Sequence, residues 1–137
     1  MKAFLDTSTL IKKYVSEPGS DRLEELLEKV SEIVVAPIYW IELNSALERR
    51  LHEKTLSHPQ VAAIRQEAGK DLTYFSRVIW NEVLEQKAVE MIKKYYFKAL
   101  DSVQIASGIL SRADLFLTSD QSLYKTASQE LKSTKLI

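Results

Sequence analysis

The sequence predicts an α/β protein of the three-layer α/β/α type, with a short parallel sheet of four to five strands. Short apolar runs alternate along the chain with longer segments of helical periodicity, a pattern typical of a parallel sheet covered by helices on both faces. The chain has 137 residues, the usual size of one domain. It contains no linker, repeat or low-complexity segment. We therefore expect residues 1–137 to form a single domain.

The predicted strands are short apolar runs that end at turn residues or acids. β-Branched and aromatic residues, which fit a pleated sheet, are frequent in them. The third run is the least regular and gives the weakest strand signal. The predicted strands are Lys2–Leu5, Ile33–Ala36, Arg77–Trp80, Leu115–Thr118 and Lys135–Ile137.

The segments between the strands carry start and stop signals of helices. Pro18 and Gly19 end the first helix, and Ser20 is a favourable N-cap for the second. Pro37 suits the first turn of the third helix, and Ser57 opens a predicted capping box for the fourth. The predicted helices are Thr7–Val15, Ser20 to about Val30, Pro37 to about Lys54, Ser57 to about Tyr74, Glu82–Tyr95, Ala99–Ser111 and Gln121–Leu131.

The composition excludes several classes of protein. The 19 basic residues balance 19 acidic ones, so bulk positive charge cannot capture nucleic acid. The chain has no cysteine and two histidines, which excludes disulfides, thiolate zinc sites, Cys nucleophiles and a His-rich metal site. The acid at position 6 interrupts any signal-peptide core, and no apolar run is long enough to span a bilayer. We therefore expect a cytoplasmic protein that does not contact membranes.

Three aspartates stand out by their positions. Asp6 and Asp120 each follow a predicted strand, and ligands of open parallel sheets bind beyond the carboxyl ends of the strands. Each of the two could instead serve only as the N-cap of the helix that follows. Asp101 is the only charged residue in Ala99–Ser111, so it must be paired, coordinated or neutralised if it is buried. The alternative is a first-turn residue favoured by the helix dipole.

Glu42 flanks the apolar face of its helix, and its position alone favours a solvated residue paired with Arg49. Together with the three aspartates, however, it would form a set of carboxylates that repel each other and need cations. Carboxylate oxygens suit Mg²⁺ or Mn²⁺, and such ions activate water for attack on a phosphodiester. This chemistry requires no cysteine or histidine. Whether the four acids converge in space does not follow from their spacing in the sequence.

Four short motifs resemble those of PIN-domain ribonucleases, and their order and the chain length resemble the VapC-type toxins of toxin–antitoxin pairs. The motifs are Phe4–Ser8, Ile41–Leu43, Ala99–Ala106 and Leu117–Asp120. The resemblance implies a parallel sheet with the first strand at its centre and endonucleolytic cleavage of RNA with Mg²⁺ or Mn²⁺. It also implies a homodimer that is inhibited by a small cognate antitoxin protein.

The same resemblance implies roles for individual side chains. Asp6, Asp101 and Asp120 would be metal ligands, and Ser8 and Thr118 would support them by hydrogen bonds. The implied catalytic residues are Asp6, Glu42, Asp101 and Asp120. The chain departs from the pattern in two places: Gln104 stands where many relatives have His, and Gln121 and Ser122 stand where some relatives have a fifth acid. The second departure leaves the number of metal ions open.

Contacts with RNA would come from single cations and aromatic rings. Arg49, Lys12 and Lys98 are candidates for phosphate binding, although Lys and Arg are mostly solvated in any protein. Lys13 and Lys125 are weaker candidates of the same kind. Four aromatic residues could stack on bases or form a dimer face, whereas core packing is their more frequent use. They are Trp40, Tyr95, Tyr96 and Phe97.

Other functions fit the sequence less well. A receiver-like signalling domain needs paired acids after the first strand and a lysine near the last strands, and no lysine occurs between Asp101 and Tyr124. A haloacid-dehalogenase-like phosphatase needs a second aspartate at the position of Ser8. The remaining alternative is a PIN-like module that binds RNA or a protein partner without catalysis. The presence of all four acids argues against it.

Overall fold

The computed structural model describes residues 1–137 and confirms the α/β class and the parallel sheet. The sheet has five strands in the order β3-β2-β1-β4-β5, and every pair is parallel. The strands are β1 (Lys2–Leu5), β2 (Glu32–Val35), β3 (Ser76–Arg77), β4 (Leu115–Thr118) and β5 (Thr134–Leu136). The helices are α1 (Thr7–Leu10), α2 (Ser20–Leu27), α3 (Tyr39–His52), α4 (His58–Leu72), α5 (Glu82–Tyr95), α6 (Ala99–Ser111) and α7 (Gln121–Glu130).

The first strand lies at the centre of the sheet. Phe4 is in register with Val34 of β2 on one side and with Phe116 of β4 on the other. Ala3, Phe4 and Leu5 are fully buried, which explains why this strand is continuously apolar. Since β1 and β4 are parallel neighbours, the residues that follow them emerge at the same edge of the sheet.

Each face of the sheet has its own apolar core. Leu5 and Leu117 point into a cluster with α1 to α4, whereas Phe4 and Phe116 point into a cluster with α5 to α7. The rings of Phe4 and Phe116 stack with centroids 5.2 Å apart. At Gly108 of α6, an added Cβ would lie 2.4 Å from the Phe116 ring, so only glycine lets this helix approach the sheet. The arrangement has three layers, as the sequence predicts.

Several local predictions about the ends of the elements are wrong. Pro37 is not in the first turn of the third helix but in the turn before it, because α3 begins at Tyr39 with Ile38 as its N-cap. The first helix ends at Leu10 and continues as a 3₁₀ turn over Ile11–Lys13. Gly19 rather than Ser20 is the N-cap of α2, because its φ of 100° favours glycine. The third strand is Ser76–Arg77, not Arg77–Trp80.

The position of the third strand has a physical reason. Its partner β2 ends at Val35, and the amide of Val78 makes the last hydrogen bond to the Val35 carbonyl. Pro37 has no N–H, so the chain beyond Val78 has no strand to pair with. Ile79 and Trp80 accordingly lie on the surface.

None of the helices is both long enough and apolar enough to cross a membrane.

Candidate active site

Asp6 is the most buried acid of the candidate site. It follows β1, and only 3% of its surface is exposed. Its Oδ1 accepts hydrogen bonds from Ser8 Oγ at 2.8 Å and from the Thr9 amide at 2.9 Å, and its Oδ2 accepts from Thr118 Oγ1 at 2.5 Å. Burial raises the pKa of Asp6 from 3.8 to about 6, although the hydrogen bonds act in the opposite direction. Asp6 is thus the N-cap of α1, and it is also a carboxyl group held at the bottom of the site.

Asp120 lies beside Asp6 because β4 neighbours β1. The Asp120 amide donates to Thr118 Oγ1 at 3.0 Å, and the same hydroxyl donates to Asp6. The Asp120 carboxylate accepts a hydrogen bond from the Leu123 amide at 3.0 Å and caps α7. Ser8 adds a second link between the two loops, since its Oγ accepts from the Ser119 amide at 3.1 Å. Ser8 and Thr118 therefore tie together the two chain segments that carry these acids.

Glu42 is held by Thr7 and Gln104, which are not among the catalytic, metal-binding or supporting residues predicted from the sequence. Its Oε1 accepts from Thr7 Oγ1 at 3.1 Å and from Gln104 Nε2 at 2.5 Å. The expected pairing with Arg49 is not formed. Burial raises the pKa of Glu42, the two hydrogen bonds oppose this change, and the negative charge of Asp101 adds to it.

Asp101 lies in the first turn of α6 and is partly buried. Burial raises its pKa, the nearby charge of Asp120 raises it further, and Lys98 lowers it. Asp101 therefore lies within range of the charges of both Glu42 and Asp120, and Asp6 accepts a hydrogen bond from Thr118, two residues before Asp120. The structure brings all four acids to the carboxyl edge of the sheet, where the sequence predicts a ligand site.

The oxygen donors at this edge fit a hydrated Mg²⁺ or Mn²⁺ ion better than a fully enclosed one. No three acidic or histidine side chains of the protein lie close enough together to hold a metal ion among themselves. Mg²⁺, however, usually keeps several waters and is bound by one or two carboxylates together with substrate phosphates. The donor set consists of carboxylates and hydroxyls, and it is locally acidic without a paired arginine. These features match the chemistry of such an ion.

A groove of about 520 Å³ opens beside the acids. Its lining includes Glu42, Ser8 and Ser119 together with the cationic side chains Arg49 and Lys12. Arg49 is exposed, whereas Lys12 is partly engaged by the Pro18 carbonyl at 2.7 Å and by Glu17 at 3.5 Å. Two exposed apolar side chains also line the groove. They are Ile41, which is 73% exposed, and Leu100, which is 52% exposed.

The other candidate contacts have varied environments. Lys98 is exposed beside Asp101, outside the lining of the groove. Lys13 is bound to Asp71 at 2.6 Å. Among the aromatic residues, Trp40 and Phe97 pack against the two cores, and Tyr95 packs against Phe97 while its hydroxyl donates to Glu130. Tyr96 alone is open to solvent, with 92% of its surface exposed.

Of the two residues that hold Glu42, Thr7 was not predicted, whereas Gln104 was noted as a departure from the family pattern and was expected to act through packing or by supporting the acids. Gln104 lies one turn after Asp101 on a nearly apolar helix and is 3% exposed. A buried amide needs a hydrogen-bond partner, so its position on this helix was a usable signal. Thr7 gives no such signal, since a hydroxyl after a strand is common in turns.

Comparison with known proteins gives a consistent result. The sequence model of the family described as "PIN domain" matches residues 3–129. No curated protein matches the sequence. The fold is similar to that of VapC20 from Mycobacterium tuberculosis, a toxin described as cleaving the sarcin–ricin loop, with a TM-score of 0.70, 16% identity and coverage of 90% of this chain and 94% of that one.

Two further solved structures are similar over most of their length. VapBC2 from Rickettsia felis, bound to a DNA fragment from its promoter, gives a TM-score of 0.68 at 14% identity and covers 100% of this chain and 99% of that one. A toxin–antitoxin complex from Klebsiella pneumoniae gives a TM-score of 0.65 at 18% identity, with 86% of each chain covered. These identities show a shared fold. The sequence match over residues 3–129 shows more: the chain belongs to the PIN domain family.

Proposed function

We propose that this protein is an endoribonuclease that cleaves RNA phosphodiester bonds and requires Mg²⁺ or Mn²⁺. The observation that carries the proposal is the meeting of Asp6, Glu42, Asp101 and Asp120 at the carboxyl edge of the sheet. Burial raises the pKa values of Asp6, Glu42 and Asp101, and the charge of a neighbouring acid raises those of Glu42 and Asp101 further. Such a cluster costs free energy in the free protein, so it indicates a site built for a cation.

In this proposal, Asp6, Asp101 and Asp120 hold a hydrated ion, one or two of them by direct contact and the rest through the waters that the ion keeps. A bound divalent ion would supply an activated water and would stabilise the charge that develops on the phosphate. Ser8 and Thr118 fix the orientation of the Asp6 carboxylate through their hydrogen bonds. Glu42 has one oxygen engaged by Thr7 and Gln104, which leaves its Oε2 free to accept a proton from water.

The RNA backbone would follow the groove next to the acids. Arg49 and Lys12 line this groove, and Lys98 lies near Asp101, outside the lining. Single cations of this kind position a phosphate backbone without reading sequence. They suit a protein with 19 basic and 19 acidic residues, because such a chain cannot rely on overall charge to bind RNA.

We further propose that the protein is the toxin of a toxin–antitoxin pair, acts as a homodimer, and is inhibited by a small cognate antitoxin. This second proposal is supported by the structural similarity to VapBC2 and to the Klebsiella pneumoniae toxin–antitoxin complex. The exposed apolar residues Ile41 and Leu100 at the groove are suited to contact with a protein partner.

The nuclease proposal is tested by incubating total RNA with the protein, with and without Mg²⁺ and Mn²⁺. Cleavage is expected only with a divalent ion, and it should be lost in Asp6→Asn and Asp101→Asn variants that remain folded. Asp114→Asn is the matched control, since Asp114 is an exposed acid bonded to the Lys2 amide at the opposite edge of the sheet. Cleavage that survives excess chelator, or that survives in both site variants, would refute the mechanism.

The toxin proposal has a separate test. Expression of the wild-type protein should arrest growth of a bacterial host, and co-expression of a small protein encoded next to its gene should restore growth. The Asp101→Asn variant should not arrest growth but should still bind that partner. Equal growth with the wild type and with the variant would contradict the role as a toxin.

A further inference from the structure

We infer that Gln104 is a positioning residue for Glu42: together with Thr7 it occupies Oε1 of the carboxylate and thereby reserves Oε2 for the hydrated ion or the attacking water. This inference rests on the proposed nuclease function. It concerns a side chain to which neither the fold nor the family match assigns a role. Three hydrogen bonds and one unpartnered oxygen support this role.

The three hydrogen bonds form a closed triangle. Gln104 Nε2 donates to Glu42 Oε1 at 2.5 Å and to Thr7 Oγ1 at 3.1 Å, while Thr7 Oγ1 donates to the same Glu42 oxygen at 3.1 Å. Thr7 belongs to α1 and Gln104 to α6, whereas Glu42 belongs to α3. A carboxylate that is bound on one oxygen by two elements cannot rotate freely, so the position of its other oxygen is fixed.

The orientation of the Gln104 amide is itself informative. The side chain is 3% exposed, and its Oε1 has no hydrogen-bond partner. A buried carbonyl oxygen without a partner costs free energy. The opposite orientation of the amide, however, would place this oxygen against the Glu42 carboxylate and would repel it. The Gln104 carbonyl oxygen therefore stays without a hydrogen bond, while the amide N–H groups donate to Glu42 and Thr7.

The test uses Gln104→Met, which keeps the length of the side chain but removes both amide groups. Cleavage would be followed on a labelled RNA oligonucleotide that contains a site mapped with the wild-type protein, and Mn²⁺ binding would be measured by titration calorimetry. We expect kcat to fall about tenfold, as is usual when a hydrogen bond to a charged group is lost, with KM for the RNA little changed. Because Glu42 Oε2 would also bind a water of the hydrated ion, the Kd for Mn²⁺ should rise about tenfold, the lower end of what is found when a group that supports a metal site is removed.

Two further variants separate positioning from packing. In a Glu42→Gln background, Gln104→Met should have no additional effect on kcat or on Mn²⁺ affinity, because its effect passes through the Glu42 carboxylate. Gln104→His should restore most of the loss, since imidazole Nε2 lies three bonds beyond Cβ, as the amide nitrogen of glutamine does. Ser107→Ala is the matched control: Ser107 is fully buried one turn along the same helix, and its hydroxyl has no partner.

The inference is overturned if Gln104→Met leaves both kcat and Mn²⁺ affinity unchanged, or if it lowers them equally with and without the Glu42 carboxylate. A wild-type protein that binds no Mn²⁺ would overturn it as well. If the wild type binds Mn²⁺ but cleaves no RNA, the Mn²⁺ titrations still decide the role of Gln104, and only the proposed nuclease function fails.

Discussion

Replacing Asp6 with asparagine should make the metal-free protein more stable at neutral pH. Asp6 is 3% exposed, and its neighbours are hydroxyls and one amide, not cations. Asparagine has nearly the same shape. Its amide oxygen can accept from Ser8 and Thr9, and its amide nitrogen can donate to Thr118. The substitution therefore removes a buried charge and keeps the hydrogen bonds from Ser8 and Thr9, while the hydrogen bond with Thr118 reverses its direction.

The magnitude follows from the pKa of Asp6, which burial raises from 3.8 to about 6. Because the folded state keeps this proton at a higher pH than the unfolded state does, stability is greatest below the unfolded pKa and is lost as the pH rises through about 6. At 1.36 kcal/mol per pH unit, the loss is about 3 kcal/mol. The free energy of unfolding of Asp6→Asn, minus that of the wild type, should therefore increase by about 2–3 kcal/mol between about pH 4 and about pH 7.

The assay is urea denaturation followed by circular dichroism, with chelator present, at several pH values across this range. Asp114→Asn, which changes an exposed acid, is the control for a general effect of charge. A difference between Asp6→Asn and the wild type that does not depend on pH would refute the reasoning. It would mean that the Asp6 carboxylate is not destabilised by its surroundings.

Three other predictions concern stability. Thr118→Val removes a buried hydroxyl that bonds both neighbouring acids and should lower the free energy of unfolding at neutral pH by about 1.5–3 kcal/mol; an unchanged urea midpoint would contradict this. Gly108→Ala should lower the free energy of unfolding by about 1–3 kcal/mol, because its Cβ would lie 2.4 Å from the Phe116 ring. Gly69→Ala has room for a Cβ and should raise the free energy of unfolding by up to about 1 kcal/mol. Equal shifts in Tm for the two variants would refute the packing argument. Mg²⁺ at about 100 times its Kd should raise the free energy of unfolding by about 2.7 kcal/mol, and Asp101→Asn should abolish most of this gain; a gain that persists in the variant would place the ion elsewhere.

The sequence was sufficient for the positions of Asp6 and Asp120, because both depend on local patterns. Each follows a short apolar run, and parallel strands present their carboxyl ends at one edge of the sheet. The positions of these two acids depend on periodicity and on few residues at a time. The apolar run Ala3–Leu5 likewise predicts a buried strand, but the central position of β1 was implied only by the resemblance to PIN-domain ribonucleases.

The surroundings of Glu42 could not be predicted in the same way. Thr7 and Gln104 are 35 and 62 residues away from it in the chain, and no periodicity links them. Their meeting depends on how α1 and α6 pack against α3, so Arg49, which is close in sequence, seemed the more natural partner. The break between α1 and the following 3₁₀ turn was missed for a similar reason, since apolar spacing does not distinguish the two kinds of helix.

The central position of β1 also has a consequence for the time at which the protein matures during translation. This strand is made first, yet its partner β4 is made more than a hundred residues later, and the hydroxyl that bonds Asp6 belongs to Thr118. Contacts this far apart in the chain form slowly and late. A nascent chain that has not reached Thr118 therefore cannot complete the hydrogen bonds that orient the Asp6 carboxylate.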